Sequence, residues 1–120
     1  MKNKNIIRLA LLAVLSAVTL VQAADSLVEF HIRKGTGEGA WNTPQTLLDL
    51  KVGQTLRIIN DDTVPHRLHT FGRPCPHQPE DSQPGEFYDC GLADSVDPRV
   101  EVLYDHNFGE RARFYLRVTR

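Results

Sequence analysis

The sequence predicts an all-β domain, an antiparallel sandwich or barrel of short strands. Two observations carry this. Apolar and polar residues alternate in the runs "LVEFHIR", "TLRIIND", "RVEVLYDH" and "ARFYLRV", and glycines and prolines punctuate the chain between them. No stretch beyond the first 23 residues repeats its apolar positions at helical spacing over a convincing length. Short alternating runs broken by such turns bury one face each against a second layer.

The first 23 residues read as a signal peptide. Lys2, Lys4 and Arg8 precede an apolar run from Leu9 to Val21, and Val21-Gln22-Ala23 ends it as a cleavage site would. The run is shorter than the ~20 residues a membrane span needs, and no second one follows. The expected organisation is therefore a signal peptide at 1–23 and one domain at 24–120, exported to the periplasm, with no membrane attachment after cleavage. Over 24–120 there are 11 Lys+Arg against 15 Asp+Glu, a net charge near −4. That argues against a nucleic-acid partner, which demands clustered positive charge. Arg111, Arg113, Arg117 and Arg120 cluster near the end, but alternating arginines on a strand mark a solvated face. Met1 is the only methionine.

Taken in order, "LVEFHIR" places Val28, Phe30 and Ile32 on one side and Glu29, His31 and Arg33 on the other, as a half-buried strand does. "KGTGEGAWNTPQ" is a loop, with Trp41 expected to lie against the core. "TLLDLKVGQTLRIIND" holds two strands split near Gly53. Residues 72–98, with Pro74, Pro76, Pro79, Pro84, Gly85 and Pro98, read as one long irregular loop. Two final strands flank a turn at Asn107 to Glu110, and Val100, Val102, Tyr104 and His106 fall on one side of the first, which would aim His106 at the core. Export makes a Cys75–Cys90 disulfide the simplest fate of the two cysteines, closing the long loop; a loop of roughly 15 residues adds about 3 kcal/mol in the chain-entropy account. A free Cys75 thiol serving a metal is the alternative.

"LKVGQTLRIINDDTVPHRLHT" resembles the first ligand segment of the cupredoxins, small copper-binding β-sandwich proteins, and is most similar to their amicyanin and plastocyanin branch, whose ligand sits in a context like "PHRLH". The resemblance covers residues 44–71 and implies a cupredoxin-like Greek-key β-sandwich over 24–120, with His66 as the first copper ligand. The last hairpin, "VEVLYDHNFGERARFYLRV", matches in layout only. Its loop holds neither the cysteine nor the methionine of a blue copper site, and His106 falls at or beside the place of the missing cysteine.

These residues point to a histidine-based, non-blue site at His66 and His106, completed by water or a carboxylate and suited to Cu(II), with zinc possible. His66 and His69, three apart, would face opposite sides of a strand, so one ion is not expected to take both. A second arrangement joins Cys75 and His77 to His66 or His69. No phosphate loop, nucleophile elbow or His-Glu-x-x-His helix is present, and the protein is not expected to be an enzyme. The expected function is periplasmic copper binding in copper handling or tolerance, with the metal ion and another periplasmic protein as partners. The competing expectations are a metal-free interaction module that uses the long loop as its contact surface, and an electron carrier built on a Cys75 thiolate.

Overall fold

The computed structural model describes residues 26–120, so the predicted signal peptide at 1–23 lies outside the described residues. Eight strands follow in order: β1 (Leu27–Ile32), β2 (Leu48–Lys51), β3 (Thr55–Asn60), β4 (Leu68–His69), β5 (Phe87–Gly91), β6 (Leu103–Asp105), β7 (Gly109–Phe114) and β8 (Leu116–Thr119), with a 3-10 turn at Pro44–Thr46. One sheet runs β1-β3-β5. Facing it are β4-β6-β7 and the pair β2-β8, which the chain joins because only Tyr115 separates β7 from β8. Among the described residues, no helix is long and apolar enough to cross a membrane.

The core lies between these layers. Ile32, Leu56 and Ile58 come from the first sheet, Leu50, Leu116 and Val118 from β2 and β8, and Leu68, Leu103 and Phe114 from the third sheet. Each large side chain removed from water stabilises the fold by about 1.5–3 kcal/mol. Trp41 reaches from its loop to close one end of the core, 5.1 Å from the Phe114 ring, as its setting in the sequence suggested. β2 and β3 split where expected, at Gly53, whose φ of 98° is open to glycine at no steric cost. Cys75 and Cys90 are joined in a disulfide, and neither is free.

Three expectations need correction. The sandwich is not purely antiparallel, since β1 pairs with β3 and β2 with β8 in parallel. The stretch 72–98 is not one irregular loop, because Phe87–Gly91 forms β5 and pairs with β3 through Leu56 and Cys90. Its alternation is hidden by the buried cysteine, which the disulfide and not apolarity places inside. The strand expected from Arg99 shrinks to Leu103–Asp105, and its sides are reversed. Leu103 and Asp105 are buried, Tyr104 is half-buried, and Val100 stands in solvent.

Candidate metal centre

The reversal in β6 builds the site. Strand parity puts His66, Leu68 and Thr70 on the core side of the β4 segment, with Arg67, His69 and Phe71 on the outer side. β4 pairs with β6 so that Leu68 lies opposite Asp105 and His69 opposite Tyr104. The His106 amide then donates to the Arg67 carbonyl at 2.7 Å. His106 therefore emerges on the outer side with His69, away from His66.

On the core side, His66 is held between two carboxylates. Its Nδ1 lies 2.5 Å from Asp105 Oδ2 and its Nε2 lies 2.8 Å from Asp62 Oδ2. All three side chains are closed off from water, with His66 1% exposed. Burial by itself would lower the His66 pKa, but the Asp105 and Asp62 carboxylates outweigh it and raise it above the ordinary histidine value. Each ring nitrogen faces a carboxylate oxygen, which accepts, so the ring donates from both as an imidazolium and both nitrogens are engaged within the fold. Burial likewise works against the Asp62 charge. Hydrogen bonds from His66 and from the Thr63, Gly37 and Gly35 amides prevail and hold its carboxyl far below the usual range. Asp105 also accepts from the Asn107 amide at 2.9 Å. The Trp41 and Phe108 rings meet His66 edge-on at 5.9 and 5.8 Å and complete its enclosure.

On the outer side, three ring nitrogens converge. His77 Nε2 lies 3.0 Å from His69 Nδ1 and 3.1 Å from His106 Nδ1, and the latter two are 3.4 Å apart. Metal–nitrogen bonds of about 2.0 Å in a tetrahedral array place nitrogens about 3.3 Å apart, so these spacings suit one ion with a fourth position open. His77 Nδ1 faces the Gln78 carbonyl at 2.7 Å; a carbonyl only accepts, so that nitrogen carries the proton and Nε2 keeps the lone pair. His69 Nε2 is buried with no hydrogen-bond partner, which leaves Nδ1 as its working atom. Burial, with the neighbouring His77 and His106, lowers the His69 pKa and favours the neutral ring that metals bind. The Tyr104 ring stacks on His69 at 4.5 Å, and Phe71 meets it edge-on at 4.9 Å, fixing its plane. Beside the group, Asp81 is held below its ordinary pKa by hydrogen bonds from Asn107 and Arg67.

The residues singled out in the sequence thus separate into three places. His66 joins Asp62 and Asp105 inside; His69, His77 and His106 meet outside; Cys75 is locked to Cys90. The structure does not bring His66 and His106 together, because a carboxylate, Asp105, takes the core-facing position next to His106. The disulfide also removes the Cys75 thiolate, and with it both the cysteine-containing ligand set and the electron carrier built on it. The opposite facing of His66 and His69 was readable from their spacing. What reading by apolarity missed was that Asp105 could be the buried member of its strand.

No protein-family model and no curated protein sequence matches the chain. Among solved structures, a Cu(I) form of a methionine-to-glutamine variant of amicyanin superposes with a TM-score of 0.58 at 19% identity, over 79% of this chain and 84% of that one. A reduced tryptophan-to-tyrosine variant and an oxidised proline-to-glycine variant of amicyanin superpose with the same score, identity and coverage. Together with the strands, the facing sheets and the disulfide, these likenesses establish that the chain has a cupredoxin-like fold, a Greek-key β-sandwich with a long disulfide-closed loop.

Proposed function

We propose that this protein binds one copper ion on the outer face of the β4-β6-β7 sheet, through His69 Nδ1, His77 Nε2 and His106 Nδ1. One observation carries the reading: three imidazole nitrogens from three separate segments lie within 3.4 Å of one another. Imidazole suits copper and zinc alike, and among divalent first-row ions copper binds such donors most tightly. His106 supplies the ligand that the sequence pattern pointed to, while His69 and His77 take the places that His66 and a carboxylate or water were expected to fill. The imidazolium of His66 belongs to the fold. The chain's own residues orient the rings, keep His69 neutral and leave one coordination position to an incoming ligand.

A binding protein fits this arrangement better than an enzyme, and copper handling or tolerance in the periplasm is the role we assign to it. The charged-then-apolar segment at 1–23 and the disulfide both favour export. With nitrogen donors and no thiolate, the Cu(II) form is nearly colourless.

The test is a Cu(II) titration of the protein beginning at Ala24, with stoichiometry by elemental analysis and EPR on the same sample. One copper per chain with the EPR signal of nitrogen-bound Cu(II) is expected, lost or changed in His69→Ala, His77→Ala and His106→Ala. A chain that takes up no stoichiometric copper, or one whose signal is unchanged in all three variants, refutes the reading.

A further inference from the structure

Resting on the three-histidine reading, we infer that Gln78 is a positioning residue for the metal site: it holds His77, the proposed ligand in the long connection between β4 and β5, in place and in the right tautomer. His77 lies in the connection between β4 and β5, where nothing in the regular sheet fixes its direction. Gln78 follows it and is buried, an unusual place for an amide side chain, and every polar group it has is used. Its Oε1 accepts from the Leu68 amide at 2.8 Å, and its own amide donates to the Leu68 carbonyl at 3.2 Å. Nε2 donates to the Glu80 carbonyl at 2.7 Å and to Ser82 Oγ at 2.9 Å. Its carbonyl accepts the proton of His77 Nδ1.

Gln78 therefore stands in for a strand beside β4. It satisfies both backbone groups of Leu68, the residue before His69, and so ties the loop ligand to the strand ligand with only Leu68 between. Its carbonyl also acts on the far nitrogen of a metal-binding ring, forcing the lone pair onto Nε2, where His69 and His106 converge. The three spacings near 3 Å follow from this anchoring as much as from the histidines.

The experiment compares wild type, Gln78→Met, His77→Ala and the double variant, using Cu(II) as the probe. Affinity is read by competition with a chelator, and the number of bound imidazoles by pulsed EPR of their remote nitrogens. The expected result for Gln78→Met is binding weaker by about tenfold to a hundredfold, the usual cost of losing a group that orients a ligand, with two imidazoles in place of three. The double variant is expected to bind no more weakly than His77→Ala alone, since Gln78 acts through that ring. Three imidazoles in Gln78→Met, or losses that add in the double variant, would make Gln78 a structural residue only and overturn the inference. If Gln78→Met does not fold, Gln78→Glu keeps an acceptor for Leu68 and drops the Nε2 donors, and the same readings decide. Copper bound by wild type but unaffected by the Gln78 change sinks the inference alone, whereas no copper in wild type sinks the metal reading and this role with it.

Discussion

Removal of the His66 imidazolium is the sharpest probe of the core. His66 is 1% exposed, and its partners Asp62 and Asp105 are 3% and 0% exposed, so in His66→Ala two carboxylates stay in the interior without their shared cation. Breaking a buried ion pair in this way costs about 3–5 kcal/mol, and the void left by the ring adds to it. Against a total stability of about 5–15 kcal/mol for a domain of this size, that is a large share. The melting temperature should fall by about 15–30 °C, read by circular dichroism beside wild type in the same buffer. His66→Gln, which keeps one donor and most of the volume, should fall between the two. Copper is measured at low temperature on the same samples. A melting point within a few degrees of wild type, combined with loss of copper, would refute the reasoning, because His66 would then be a ligand and not the bridge between Asp62 and Asp105.

Three further outcomes follow from the same contacts. The His66 pKa is raised from 6.5, so the stability it contributes is full below about 6.5 and is lost as pH rises through the higher folded value; Asp62 is lowered from 3.8, so its contribution is full above about 3.8 and fades as pH falls through the depressed value. A melting-temperature profile should thus show a plateau between these limits that falls on both sides, and the alkaline fall should vanish in His66→Ala; an alkaline limb unchanged in that variant would contradict the assignment. Replacing Cys75 and Cys90 together by serine should cost about 3 kcal/mol, for a loop spanning 15 residues, and the variant should melt identically with and without a dithiol reductant. Phe114→Ala, which removes a buried ring from between Phe30 and Trp41, should cost about 3–5 kcal/mol in urea unfolding yet leave one copper bound per folded chain; a change in stoichiometry would tie the core and the metal site together more closely than their opposite faces allow.

Much of the fold was legible in local pattern. The alternation of Leu56 and Ile58 against Thr55 and Arg57, the turn at Gly53, the enclosure of Trp41 and the cysteine pairing are short-range or compositional signals, and each matches what the structure shows. β5 was not legible, since its core-facing residues are Tyr88 and a half-cystine while the apolar Phe87 stands exposed. The candidate site was half legible: the residues that meet on the outer face all stood out in the sequence, but their grouping did not.

By itself, the sequence determined that this chain makes short strands and carries five histidines, most of them near one region, and it pointed to a loop closed by the two cysteines. Only the tertiary structure decided which histidines share a site. The reason is one residue, Asp105, which lies 39 positions from His66 and turns inward to share its charge. Strand alternation then obliges His106 to turn outward, toward His69 and His77. A rule that sends apolar side chains inward sends Asp105 to water, because it prices a carboxylate alone; the fold places it opposite a buried imidazolium, where the pair is stable together and neither would be stable apart.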